Sequence, residues 1–285
     1  MIVVSGASGM FGGAIVAELA ARGVPARGLV RRQEAADALR AQGIEPVTGD
    51  MDDPGTLDDA LAGADTVFVV SPMDEHVARR EGNLLAAAQR AGVARVVKLH
   101  GAVEHHDALG DLHQRSIATI RESGLDWALL SPSSVMETTL FSQAAAIVHA
   151  GGLYGCSGDG AAGIVALEDV ARAGATVLAD GSQTGRDYQL TGPRAVSLGD
   201  CAQAFTQVLG RDVPYFDMPE DAFRDVLVEQ VHMTPEAAEM GVIAHMRAWR
   251  EGGATLVTDT VRELTGRDPV DVVDWIAAHR ERFVA

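Results

Sequence analysis

Lysine is nearly missing from this chain of 285 residues: Lys98 is the only one among 23 basic residues, which face 40 acidic ones. The net charge is −17 and no basic tract occurs. Nucleic-acid backbones are held by clustered Lys and Arg, so this balance argues against direct nucleic-acid binding. Cysteine is equally scarce. Cys156 and Cys201 have neither metal-ligand spacing nor a disulfide framework, which points to a reduced, cytoplasmic protein. No run reaches the about 20 apolar residues of a membrane span. Met1–Ser5 leads straight into glycines, without the basic start and apolar run of a secretory signal, so none is expected.

What is present is a regular alternation of short Val- and Ile-rich runs with Ala- and Leu-rich amphipathic stretches. Strands are expected at Met1–Ser5, Ala26–Val30, Ile44–Thr48, Thr66–Ser71, Arg95–Leu99 and Trp127–Leu130. Helices are expected at Met10–Arg22, Gln33–Gln42, Leu57–Leu61, Val77–Ala91 and Leu112–Ser123. Gly23, Gly43, Gly92 and Gly124 follow the helices where stops belong. Repeated βα units with wholly apolar strands imply an α/β fold, a Rossmann-type doubly wound parallel sheet.

Beyond Pro132 the rhythm changes. A helix over Glu137–Ala150 precedes a Gly-rich stretch, then come a helix at Leu167–Ala179, a strand at Asp187–Leu190 and a helix capped by Ser197. A short strand at Val213–Phe216 and further helices follow, and Glu220–Met246 is amphipathic. The expected division is a dinucleotide-binding domain over 1–132 and a smaller helix-rich, substrate-binding lobe over 133–285, with some segments returning to the sheet.

The chemistry is carried by Gly6-Ala7-Ser8-Gly9-Met10-Phe11-Gly12, between the first strand and the first helix. Gly6 permits a tight turn, Gly9 lets the backbone approach a pyrophosphate, and Gly12 lets helix and strand pack closely. The helix start then offers free N–H groups and a partial positive charge to phosphate. The second strand ends in Arg31-Arg32, where binders of the unphosphorylated dinucleotide carry a carboxylate. Guanidinium groups there suit a 2′-phosphate, which favours NADP(H) over NAD(H). Asp50 and Met51 follow the third strand at the expected adenine position. Asp52 and Asp53 are read as caps for the helix after Pro54. Val70, Ser71 and Pro72 end the fourth strand beside the expected cofactor path.

These residues resemble the NmrA-like atypical short-chain dehydrogenases. The likeness rests on the glycine loop, Leu29-Val30-Arg31-Arg32, Gly49-Asp50, Val96-Val97-Lys98-Leu99, the segment Ser123–Pro132, Glu168-Asp169-Val170-Ala171 and Leu264–Pro269. The group includes quinone reductases, reductases of other small organic molecules, and redox sensors that bind cofactor without turnover. Membership implies that Lys98 reaches the nicotinamide ribose or the substrate carbonyl and that Pro132 borders the cofactor. This chain departs from the wider pattern. None of its tyrosines, Tyr154, Tyr188 and Tyr215, has a lysine four residues on, His100 stands where a serine usually ends strand five, and Ser131-Pro132 lacks a preceding family arginine.

With the usual proton relay missing, the remaining candidates are Lys98, His100 and His113, the last read as standing at a helix start. Imidazole titrates near neutrality and can serve as general acid. His100, His105, His106 and His113 lack metal-ligand spacing, and no metal is expected. Met136, Thr139 and Phe141 are candidates to cover the nicotinamide. The expected function is an NADP(H)-dependent oxidoreductase that moves hydride between nicotinamide and a small apolar carbonyl, quinone or imine-like substrate. The alternatives are a non-catalytic redox sensor, or non-redox chemistry on the same scaffold. A small-molecule substrate, no nucleic-acid or membrane partner, and a monomer or homodimer complete the expectation.

Overall fold

The computed structural model describes residues 1–284. Two compact units are present. The first comprises residues 1–101, 111–132 and 167–189, and the second residues 102–110, 133–166 and 190–285.

In the first unit the chain runs through β1 (Ile2–Val4), α1 (Met10–Ala21), β2 (Ala26–Val30), α2 (Gln33–Ala41), β3 (Glu45–Thr48), α3 (Leu57–Leu61), β4 (Thr66–Val69), α4 (Val77–Arg90), β5 (Arg95–Leu99), α5 (Ala108–Arg121) and β6 (Asp126–Pro132). The sheet order is β3-β2-β1-β4-β5-β6, followed by the strand Arg186–Leu190. Every pairing from β3 to β6 is parallel. The order reverses at β1, which neighbours both β2 and β4. Such a switch point opens a ligand crevice at the carboxyl ends of the strands.

Burial explains the apolar strands. Val3, Val67, Val69, Val96 and Leu129 are inaccessible to water and pack with Leu57, Leu61, Leu84 and Ile120 from the helices. Each such side chain contributes about 1.5–3 kcal/mol on transfer from water. Gly23, Gly43, Gly92 and Gly124 all sit at positive φ, as helix stops require. Helix Leu167–Ala179 packs on α1, where Gly174 lies against Ile15.

The second unit has its own core around Phe205, Trp275, Phe283, Leu140 and Met136. Ser197 caps the helix Leu198–Leu209 in a reciprocal box with Asp200. The single helix expected over Glu137–Ala150 is instead two pieces: an α-helix Met136–Phe141 and a wide π-turn at Ala146–Ala150. Between them Gln143 turns inward, its amide donating to the Tyr154 carbonyl and accepting the Tyr154 N–H. The side-chain bonds to a neighbouring strand take priority over helical continuity.

Candidate functional site

Parallel order brings the carboxyl ends of six strands to one edge of the sheet. Read along that edge, the exits are Gly49-Asp50 after β3, Arg31-Arg32 after β2, the glycine loop after β1, Val70-Ser71-Pro72 after β4, His100 after β5, and Pro132 ending β6. With strands about 4.8 Å apart, β2 to β5 spans roughly 15 Å, room for an elongated ligand.

The glycine loop is built by close approach. Gly6 has φ +59°, and a Cβ there would lie 2.8 Å from Val70 Cγ1. A Cβ on Gly12 would lie 2.4 Å from the Gly6 carbonyl oxygen and 2.7 Å from that of Ser5. Gly9 donates its N–H to the Gly6 carbonyl at 2.8 Å and caps α1 without a side-chain acceptor. No acidic residue occupies the first turn of α1. The opening N–H groups of α1 are therefore not spent on a side chain, and the cradle fits an anionic diphosphate. Ser5 staples the cradle: its hydroxyl donates to the Val70 carbonyl and accepts the Val70 N–H, both at 2.9 Å. Ala7 is buried under the loop, whereas Ser8 and Met10 are exposed and Phe11 is half-buried.

Arg31 and Arg32 are both exposed just past β2 and form no salt bridge among the described residues. One oxygen of Asp50 accepts the Asp52 N–H at 2.9 Å. The expected pair of helix caps is only half right. Asp53 accepts from Gly55 N–H, but Asp52 turns away to Arg79 at 2.6 Å and Arg80 at 3.1 Å. Two guanidinium groups outcompete a helix end for one carboxylate. Arg80 also reaches Asp74 at 2.8 Å, so it ties the loop after β3 to the loop after β4. Asn83 adds a bond to the Met51 carbonyl at 2.8 Å. The hydrogen bond from Arg80 lowers the Asp52 pKa; at Asp74 partial burial pulls upward, and the bond from Arg80 with its charge overrides it, leaving the pKa lowered.

The other end of the edge carries the titratable groups. His100 extends the β5–β6 ladder by donating its N–H to the Leu130 carbonyl at 2.8 Å. Its Nδ1 lies 3.2 Å from Nδ1 of His113, with the rings edge to face at 4.7 Å between centroids. His113 is not at a helix start: α5 begins at Ala108, with Asp107 accepting the Leu109 and Gly110 N–H groups. His113 stands more than one turn inside, where its ring packs on Gly101.

Behind this pair lies a buried polar knot. The Glu81 carboxylate, inaccessible to water on α4, accepts from Lys98 Nζ at 2.6 Å and from Ser71 Oγ at 2.7 Å on one oxygen. Its other oxygen accepts from Ser116 Oγ at 2.7 Å. Lys98, expected to reach nicotinamide ribose or substrate, is 1% exposed with its ammonium on Glu81. Glu81 itself escaped the sequence reading. The signal was available: it falls on the stripe Val77, Leu84, Leu85, Ala88, and a carboxylate on an apolar stripe asks for a buried partner.

Other residues singled out from the sequence belong to the second unit or to the edge strand. His105 belongs to the second unit, edge to face with His245, and burial lowers its pKa. Met136 is fully buried in the second unit's core, and Phe141 packs there against Trp275, the rings tilted by 41°, beneath the Arg282 guanidinium. Tyr188 is buried on the edge strand, donating to Gln183. Tyr215 donates to Asp217 at 3.0 Å in the second unit, and burial pushes its pKa up to about 12.

Comparison with known proteins places the site in context. The chain matches the NAD(P)H-binding family over residues 6–181. It is 36% identical to a (4-alkanoyl-5-oxo-2,5-dihydrofuran-3-yl)methyl phosphate reductase of Streptomyces griseus, covering 99% of each chain. It is 29% identical to an NAD(P)H azoreductase of Xenophilus azovorans over the full length of both. The structure of an NADPH-dependent quinone oxidoreductase from Escherichia coli, complexed with NADPH, superposes with a TM-score of 0.89 at 26% identity, covering 99% of this chain and 100% of that one. No helix among the described residues is long and apolar enough to cross a membrane.

Proposed function

This chain belongs to the NAD(P)H-binding family, among the NmrA-like atypical short-chain dehydrogenases, and is an NAD(P)H-dependent oxidoreductase; from that premise we propose that it reduces a small conjugated electrophile with NADPH and protonates the product from the His100–His113 pair. The observation that carries this reading is the contact of the two imidazoles at 3.2 Å, at the end of β5.

The dinucleotide is held by Gly6–Gly12 at its diphosphate, with Arg31 and Arg32 toward the 2′-phosphate and Val70, Ser71, Pro72 and Pro132 along its length. Asp50 and Met51 border the adenine. When bound, NADPH supplies a hydride, two electrons and one proton together. The histidines supply the second proton. An Nδ1–Nδ1 hydrogen bond needs one protonated and one unprotonated nitrogen, which two neutral rings in opposite tautomers supply. When the pair takes up one further proton from solvent, the ring that becomes imidazolium is the acid that gives a proton to the product anion and returns to neutral imidazole. After the product anion takes a proton from an imidazole, solvent water restores it. The balance is acceptor plus NADPH plus a proton giving reduced acceptor plus NADP+.

The substrate class follows from the acid. Hydride addition to an isolated ketone leaves a strongly basic alkoxide, for which short-chain dehydrogenases use a tyrosine activated by lysine. Hydride addition to a conjugated acceptor leaves a delocalised, weakly basic anion, and an imidazole matches it. The names of the relatives, an azoreductase, a quinone oxidoreductase and a reductase of an unsaturated oxo-dihydrofuran, support acceptors of this kind.

The test follows NADPH absorbance against quinones, azo compounds, unsaturated lactones and saturated ketones. Oxidation restricted to the conjugated acceptors is expected. Turnover of saturated ketones at equal rates refutes the substrate class.

A further inference from the structure

We infer that Glu81 is a positioning residue for the proton step, acting through Lys98 and Ser116 to hold His100 and His113 in register. This rests on the histidine reading above and adds a residue that touches neither substrate nor cofactor.

The geometry is specific. Lys98 lies two residues before His100, which extends the β5–β6 ladder one residue past the end of β5, and side chains two apart in extended chain share a face. Ser116 lies three residues after His113 on α5, so both project from one side of that helix. One carboxylate therefore grips the strand that carries one imidazole and the helix that carries the other, at 2.6 Å and 2.7 Å. Its third donor, Ser71 at 2.7 Å, fixes the end of β4 between them and the glycine loop. That hydroxyl spends its only proton on Glu81, so Ser71 Oγ can meet any other group solely as an acceptor. All three donors converge on a residue of α4, an element that contributes no imidazole and no glycine cradle. Glu81, Lys98 and Ser116 are each within 1% of full burial, so water does not compete for these bonds.

A charge pair inside a protein core is poor evidence for stability, because well-packed neutral replacements of both partners are often tolerated. It does fix one arrangement, since a displaced ammonium would leave a bare carboxylate behind. The 3.2 Å contact between two separately mounted rings needs such a fixed arrangement. A displacement of about 1 Å at a reacting group can cost as much as a hundredfold in rate.

The deciding experiment compares wild type, the double variant Glu81→Gln/Lys98→Met, Ser116→Ala, Ser116→Thr and His113→Gln. The double variant removes both charges together and keeps the volumes. NADPH affinity is measured by fluorescence titration. Values of kcat and KM for a quinone are expressed per NADPH-binding site, and the solvent deuterium isotope effect on kcat is determined. The double variant is expected to bind NADPH and quinone within about twofold of wild type, to lose about tenfold or more in kcat, and to show a larger solvent isotope effect. Ser116→Ala is expected to do the same more weakly and Ser116→Thr to restore the rate; if the double variant does not fold, this pair decides. A merely structural knot would lower the thermal midpoint and the number of binding sites but leave kcat per site and the isotope effect unchanged, and that result overturns the proposal. If His113→Gln leaves kcat and the isotope effect unchanged, the histidine reading itself fails. Loss of rate in His113→Gln with wild-type kinetics in the knot variants fails Glu81 alone.

Discussion

His100 and His113 meet through their Nδ1 atoms at 3.2 Å, although they are thirteen positions apart with a loop between them. The contact joins the end of β5 to the interior of α5, and β5 is the neighbour of β4 in the sheet. Replacing either ring with glutamine keeps a hydrogen-bonding group but removes the titrating proton. Each single variant is expected to lose on the order of 10²–10⁴ in kcat with a conjugated acceptor, while NADPH affinity stays within about twofold. Steady-state kinetics and a fluorescence titration check both halves.

Gly12 has no room for a side chain. A methyl group there would lie 2.4 Å from the Gly6 carbonyl oxygen, so the loop or α1 must shift. Gly12→Ala is expected to abolish measurable NADPH binding and to cost about 1–3 kcal/mol of stability. Urea unfolding and NADPH titration read the two effects separately.

Arg31 and Arg32 make no salt bridge among the described residues and stand where the second strand ends. Arg31→Ala is expected to weaken NADPH binding about tenfold to a hundredfold, the range of one or two charge-assisted bonds, and to leave NADH unchanged. Parallel titrations with both dinucleotides measure the preference. Equal affinities in wild type, unaltered by the substitution, would remove the argument for the 2′-phosphate.

Arg80 bridges Asp52 and Asp74, whose pKa values both lie below the ordinary aspartate value of 3.8. A carboxylate whose pKa is depressed on folding contributes stability above its unfolded pKa and loses it as pH falls through the folded one. Arg80→Met is therefore expected to lower the thermal midpoint at pH 7, by a few degrees at most because both carboxylates remain partly exposed to solvent. The gap should close as pH drops below about 3.8, and thermal melts across that window test it.

Much of the fold was legible because its signals are local. Strand runs such as Arg95–Leu99 and the stops at Gly23 and Gly92 are recognisable from a few neighbours. The glycine loop was legible for the same reason. What was missed depends on partners distant in sequence. Asp52 reads as a cap until Arg79 and Arg80 arrive from α4. The apolar pattern puts the start of α5 at Leu112, whereas the helix begins at Ala108, where Asp107 accepts the Leu109 and Gly110 N–H groups. Lys98 is recognisable as a strand-end lysine, but its partner Glu81, 17 positions away, is not. The crossing of β4, β5, α4 and α5 at that carboxylate has no signature in any single segment.

The central claim is that hydride delivery from NADPH is completed by a proton from the paired imidazoles. The most direct measurement is the solvent deuterium isotope effect on NADPH oxidation by a quinone, in wild type and in the double variant His100→Gln/His113→Gln. The account predicts turnover in wild type with a clear solvent isotope effect, and a double variant that binds NADPH but turns over at least about a hundredfold more slowly. A double variant that oxidises NADPH at the wild-type rate with the same isotope effect would contradict it.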